Sequence, residues 1–454
     1  MQQVMQKMQD NYQTTRVSRR WFTRVSCFGL ALAIAGFSAL PVGSQTLSEK
    51  VLAMERGLAQ EFEAYFGESL AEVTQTPDEI TQTLQRIGQK TGTRPAVLWV
   101  IPRGDHLHLV LLTPAGKPIV RDLYEVPTSK LRPVVDAFHL EMHSSAGKAK
   151  MAAAQQLYEW IIQPFEADYL QAEGIDTLLF CLGNGVRSLP LAALHDGQQF
   201  LLEKYSMTRI PAFNLIQTDY VRLQPGQILA MGASEFRDHN PLPAVPTELS
   251  NILWELQSAR PARYQWKGQS FLNQSFTFAN LQQMVQTHTP TVVHLATHAV
   301  FRPGKPSNSY IQLWDTRLGL DNIRQIDWGS PLELLVLSAC RTAIGDDQAE
   351  LGFAGVALKS KVKSVLASLW NVSDEGTLAL MSEFYRQLGT TPTKAEALRQ
   401  AQLRMLRGEI RIEGKQLVLS RGPVSLLTEL GNETVSDFSA PYYWAAFTLI
   451  SSPW

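Results

Sequence analysis

Cysteine is nearly missing: Cys27, Cys181 and Cys340 are the only three in 454 residues. That is too few for a disulfide framework, so each thiol is read by its own surroundings. Charge of one sign is equally sparse. With 41 Lys and Arg against 42 Asp and Glu, a net charge of -1 and no run of like charges, the chain lacks the basic stripe that tracks a phosphate backbone, and nucleic acid is not an expected partner. The glycine motifs of nucleotide chemistry are absent too. Gly183-Asn184-Gly185 follows an apolar run, but Ser188 stands where a dinucleotide fingerprint needs its third glycine, and neither a Walker loop nor a Gly-x-Ser-x-Gly elbow occurs. His294 and His298 have the i, i+4 spacing of a helical zinc pair, yet no Glu follows His294 and the flanking residues favour a strand. No metal and no other cofactor is expected there.

What is present begins with a distinct leader at 1–44. A polar stretch ends in Ser18-Arg19-Arg20-Trp21-Phe22-Thr23-Arg24, an apolar run extends from Cys27 to Leu40, and the small residues Val42 and Ser44 precede Gln45. The run is too short to cross a bilayer comfortably, so the order reads as a cleaved export signal, with twin-arginine character. A periplasmic or other extracytoplasmic location without a retained membrane span is expected. A retained anchor, or an upstream start that leaves the protein in the cytoplasm, is the other reading.

The remainder divides by pattern. Residues 45–145 read as a small α+β region: apolar positions at helical spacing from Leu52 to Phe66, then Ala96–Ile101 and Leu107–Thr113 as strands around a turn at 102–105. From 146 to 454, short apolar runs alternate with amphipathic helical stretches, the pattern of a covered, mostly parallel sheet. Six strands are expected, at Thr177–Leu182, Gln227–Gly232, Thr291–Thr297, Glu333–Ala339, Ser364–Trp370 and Trp444–Ile450, with helices at 150–168, 246–258, 278–286, 350–361, 374–388 and 393–407. Asp196-Gly197 between apolar flanks reads as an additional hairpin.

In such sheets reactive groups gather beyond the carboxyl ends of strands. His298 ends the run that starts at Val292, and Cys340 ends the run that starts at Leu334. A histidine and a thiol at matching ends of neighbouring parallel strands could act as base and nucleophile. Cys181, inside Leu178–Leu182, reads as a small core hydrophobe, and Cys340 could equally be a packed core thiol.

His294-Leu-Ala-Thr-His298, Leu337-Ser-Ala-Cys340-Arg-Thr-Ala343 and Ala367-Ser-Leu-Trp-Asn-Val-Ser-Asp374 resemble the CHAT family of caspase-like and separase-like peptidases. The likeness extends from about residue 150 to the C-terminus through Arg187–Leu194, Met231–Glu235, Ala395–Gln402 and Pro441–Phe447. Without the tetratricopeptide repeats of many members, the chain resembles the short exported members common in cyanobacteria. The resemblance implies a caspase-like three-layer α/β sandwich and a His298–Cys340 dyad that cleaves protein or peptide substrates. It also implies that Asp374 receives a basic substrate side chain, and that relatives dimerise through an edge strand. The oxyanion would be held by backbone N–H groups, here those of Ala299 and Cys340. Ala299 replaces the family's usual Gly after the second histidine, and Ala440 replaces a usual His before the Pro-Tyr-Tyr-Trp string. These departures keep a second reading open, a catalytically silent scaffold that binds peptides or partner proteins. Asp374 also has a second reading, as the N-cap of the helix that follows.

Overall fold

The structure is a computed structural model that describes residues 46–70, 72–143, 151–258, 265–328, 332–342, 346–414, 416–425 and 437–454. The expected signal at 1–44 lies outside the described residues. Among those described, no helix is long and apolar enough to cross a membrane.

Two helices open the fold, α1 (Leu47–Phe66) and α2 (Pro77–Thr91). Each starts in a capping box, Thr46 with Glu49 and Thr76 with Glu79, and each stops at a glycine in the left-handed region, Gly67 at φ 68° and Gly92 at φ 74°. Strands β1 (Pro95–Pro102), β2 (Leu107–Leu112) and β3 (Ile119–Leu123) form an antiparallel meander. Helices α3 (Thr128–Met142) and α4 (Ala152–Ile161) lead to β4 (Thr177–Leu182), β5 (Ser206–Ile210) and β6 (Gln227–Gly232). Next come α5 (Val245–Gln257), β7 (Lys267–Leu272), α6 (Phe278–His288), β8 (Val292–Phe301), β9 (Tyr310–Gln312), β10 (Arg317–Gly319) and β11 (Leu334–Thr342). The chain closes with α7 (Asp347–Ala354), β12 (Ser364–Ser368), α8 (Asp374–Leu388), α9 (Lys394–Leu406), a separate three-stranded sheet β13 (Arg411–Glu413), β14 (Gln416–Leu419) and β15 (Gly422–Ser425), and β16 (Phe447–Ser451).

Among the described residues, thirteen strands join in one mixed, mostly parallel sheet. Two parallel blocks meet in its middle: β7, β6, β8, β11 and β12 run one way, and β16, β5, β4 and β1 run the other, because β16 is antiparallel to β12. The carboxyl ends of β6, β8, β11 and β12 therefore share one edge. β1 pairs with β4 in register Trp99↔Cys181, so strands from both sides of residue 145 lie in the same sheet.

Both faces are covered, which explains the apolar runs. Ala96, Leu98, Val100, Leu178 and Phe180 pack with Phe138 of α3 and Leu157 of α4. Their alternates Val97, Trp99, Leu179 and Cys181 pack with Leu58 of α1 and Leu84 of α2. Buried Glu55 anchors α1 to the second face, accepting hydrogen bonds from Trp99 Nε1 at 2.6 Å, Phe213 N at 3.1 Å and Asn214 N at 2.9 Å. Cys181 is fully buried, and burial pushes its thiol well up, as suits a core residue.

Each of the six expected runs holds a strand of this sheet, joined by others that the pattern hides; the last is corrected at its start, since Pro441–Trp444 turns helical and the strand begins at Phe447. β5 carries Thr208 and Arg209 in its buried interior, and β7 and β10 are short or exposed. The hairpin expected at Asp196-Gly197 is corrected. Pairing there stops at one His195–Phe200 bridge, because Leu201–Lys204 turns helical, with the Glu203 carboxylate accepting from Phe200 N at 2.7 Å.

Candidate active site

β8 and β11 are parallel neighbours, so the two strand ends singled out in the sequence lie side by side. The register runs Val336↔His294 and Leu337↔Leu295, then shifts by one, giving Ala339↔His298 and Cys340↔Ala299. β8 thus carries an extra residue ahead of His298, a bulge of the kind that re-aims a side chain near a site. Cys340 stands diagonal to His298, one position further along the adjacent strand. Pairing continues past both residues to Thr342↔Phe301, so neither stands at its strand's exit, which corrects that expectation: the apolar run stops at each residue but the backbone ladder does not.

His294, Ala296 and His298 all meet the segment that follows β6. Gly232 ends that strand where a Cβ would lie 2.6 Å from the Ala296 carbonyl oxygen and 2.9 Å from Val245 Cγ1, so glycine allows α5 to approach. His294 is fully buried. Its Nδ1 lies 3.1 Å from the Tyr385 hydroxyl, and its Nε2 lies 3.0 Å from Glu248 Oε1 on α5, a close contact without the alignment of a hydrogen bond. His298 is half-buried, and its Nε2 lies 2.9 Å from the Asn240 carbonyl. A carbonyl only accepts, so Nε2 carries the proton and the neutral ring keeps Nδ1 as its basic nitrogen. His239 stacks on the ring at 4.8 Å and 22°, and Phe236 meets it edge-on at 4.7 Å. Burial lowers the His298 imidazole below its ordinary range and His239 lowers it further, against the Asn240 carbonyl, which raises it. Beside this trio opens a groove of about 620 Å³, bounded by Phe236, Asp238, His239, Trp314, Asp315 and Arg317.

Asp374 follows β12 on the same edge. Ser373, not Asp374, is the N-cap of α8, its Oγ accepting from Gly376 N at 3.1 Å, which corrects the capping reading of Asp374. The Asp374 carboxylate instead accepts from Ala244 N at 2.5 Å. Burial pushes it up to about 7, the Ala244 N–H opposes, and Glu248 and Glu375 add repulsion. One loop, 236–244, therefore holds His298 through Asn240 and Asp374 through Ala244. Ala299 is buried within β8 and is not among the residues with positive φ, so the alanine at the family's glycine position imposes no left-handed strain.

Sequence reasoning picked out His298, Cys340 and Asp374, and the topology brings all three to one sheet edge. It missed Asn240, which acts through a backbone carbonyl, and it missed the ring contacts of His239 and Phe236. Glu248 and Tyr385 were also missed, because polar residues on otherwise apolar helix faces carry no local signal of what they meet.

The CHAT domain family model matches residues 151–452, and the chain belongs to that family. No curated protein matches the sequence. Among solved structures, Saccharomyces cerevisiae separase in its complex with securin is similar at 11% identity and a TM-score of 0.46, covering 84% of this chain and 32% of that one. The chain thus spans about a third of the separase chain's length. The complex of the pro- and mature domains of Porphyromonas gingivalis RgpB is similar at 13% identity and a TM-score of 0.40, covering 72% of this chain and 77% of that one. Likeness at these scores carries no inference about chemistry.

Proposed function

We propose that the protein is a cysteine endopeptidase in which Cys340 and His298 form the catalytic dyad. The observation that supports it best is the parallel pairing of β8 with β11, which brings the backbones of His298 and Cys340 to the same level of adjacent strands, with the imidazole fixed by the Asn240 carbonyl. His298 Nδ1 takes the thiol proton, and the thiolate adds to the substrate carbonyl carbon. Collapse of the adduct breaks the C–N bond as the imidazolium returns the proton to the leaving amine. Water, deprotonated by the same nitrogen, then releases the acyl group from sulfur. The lowered pKa of His298 keeps the ring neutral, and ready as a base, at neutral pH. The N–H groups of Ala299 and Cys340 are the oxyanion donors in this reading.

Cleavage after arginine is the expected specificity. Among the described residues no basic side chain pairs with Asp374, and a desolvated carboxylate at the neighbouring strand mouth suits a guanidinium, which it can bind through two hydrogen bonds. Export through the 1–44 signal and a homodimer through an edge strand belong to the same reading.

One observation favours the silent scaffold. The β8–β11 ladder runs on through Ala299 and Cys340, so the proposed oxyanion donors lie within paired strands. An acyloxymethylketone probe carrying arginine separates the two readings. Labelling of the wild type and not of Cys340→Ala or His298→Ala supports the peptidase. No labelling of a folded wild type leaves the scaffold.

A further inference from the structure

The β2–β3 hairpin carries a constellation that the peptidase chemistry does not use. His108 of β2 is the cross-strand partner of Asp122 of β3, and His106 stands two residues before His108, hence on the same side of the hairpin. Three potential ligand atoms converge there. His108 Nδ1 lies 2.5 Å from Asp122 Oδ1, His106 Nε2 lies 3.4 Å from the same oxygen, and all three ligand atoms fall within 4.8 Å of one another. The two imidazoles are largely shielded, with side chains 16% and 22% exposed, and Asp122 is 35% exposed.

We infer that His106, His108 and Asp122 form a binding site for a divalent transition ion of the zinc class, leaving one coordination position open to water. Two imidazoles and a carboxylate are a borderline-soft donor set that suits zinc rather than calcium or magnesium. Around a tetrahedral zinc with bonds of about 2.0–2.2 Å, ligand atoms sit roughly 3.4 Å apart, the separation His106 Nε2 and Asp122 Oδ1 already have. His106 is also oriented from behind. Its Nδ1 lies 2.8 Å from Asp105 Oδ1, the carboxylate–histidine arrangement that fixes the tautomer and presents Nε2 to a metal. The nearest cation in sequence is engaged elsewhere, since the Arg121 guanidinium lies 5.9 Å from the ring centroids of both Phe165 and Tyr169. An ion here ties the residues entering β2 to β3, an edge strand that, among the described residues, pairs with β2 alone. It would act as a clamp on the end of the sheet remote from β8 and β11.

The test is zinc titration of the untagged, metal-stripped full chain by calorimetry, with cobalt(II) as a spectroscopic stand-in. One equivalent of zinc should bind. Cobalt should give the intense visible bands of a four-coordinate site. His108→Ala and Asp122→Asn should each weaken binding by at least the roughly 10–100-fold that loss of even an outer partner costs, and Asp105→Asn by about 10-fold. Zinc should raise the melting temperature of the wild type and leave that of His108→Ala unchanged. Because these side chains lie outside the core, circular dichroism should show every variant folded. Absence of stoichiometric binding, or binding that His108→Ala and Asp122→Asn leave intact, overturns the assignment and reduces the cluster to hydrogen-bonded histidines.

Discussion

The Nε2 atom of His298 lies 2.9 Å from the carbonyl oxygen of Asn240, so a loop backbone, rather than a side chain, sets the tautomer of the candidate base. The same loop stacks His239 on the ring. Two imidazoles in contact disfavour each other's protonation, and burial of His298 acts in the same direction. His239→Gln should therefore raise the pKa of His298. NMR titration of the His298 ring would show the midpoint moving to higher pH, and in an active enzyme the acid limb of the pH–rate profile would follow it. A midpoint that stays put would separate the ring contact from the chemistry.

Beneath the site, His294 is enclosed by Tyr385 and Glu248 with no water-facing atom. Tyr385→Phe removes one partner and leaves a buried ring nitrogen without its hydrogen bond, at a cost of about 1–3 kcal/mol. Glu248→Ala removes the group facing the other ring nitrogen of the same buried imidazole, and should cost a comparable amount, about 1–3 kcal/mol. Urea unfolding measures both. Negligible losses in both would mean that the three groups do not act as a unit.

Much of this was legible because it is periodic. Each of the six apolar runs holds a strand, and the helix expected at 374–388 is observed at Asp374–Leu388. What stayed hidden is held by long-range polar contacts. β5 looks too polar for a central strand until Arg209 is seen donating to Thr448 Oγ1 at 3.0 Å and to the Leu189 carbonyl at 3.0 Å. The direction of β16 was hidden as well, since apolarity alone does not distinguish a parallel strand from an antiparallel one. Asn240 could not be found by residue type, since any residue offers a carbonyl. The His106–His108–Asp122 group needed the β2–β3 register, which brings residues 14 apart in sequence into contact.

Glu55 offers a separate test of the sheet's second face. It accepts from the Trp99 indole and from the backbone of Phe213 and Asn214 in a fully buried position. Glu55→Leu should destabilise by several kcal/mol, since each buried donor left without an acceptor costs about 1–3 kcal/mol. Trp99→Phe removes one donor while Glu55 keeps those of Phe213 and Asn214, and should cost less than Glu55→Leu. A Glu55→Leu protein as stable as the wild type in guanidinium would show that these contacts are replaceable.

Asp374 joins stability to specificity through one ionisation. Its carboxyl is pushed up to about 7 in the folded protein, whereas an unfolded Asp titrates near 3.9. Between these values the folded state holds a proton that the unfolded state has released. Stability contributed by this group is therefore greatest below about pH 4, falls as pH rises towards 7, and stays reduced above. Asp374→Asn should flatten that slope and, near pH 8, make the protein more stable by up to a few kcal/mol, since each pKa unit is worth about 1.4 kcal/mol. Ligand binding should show the opposite dependence. A peptide ending in arginine needs the ionised carboxylate, so its affinity for the wild type should rise through pH 7 while its citrulline analogue, which has the same shape without charge, binds weakly throughout. In Asp374→Asn the two peptides should bind alike, with no rise through pH 7. Calorimetry on the Cys340→Ala background measures all of this without turnover. Equal affinity of the arginine and citrulline peptides for a protein that retains Asp374 would remove the carboxylate from the specificity pocket, even where the stability slope is found as expected.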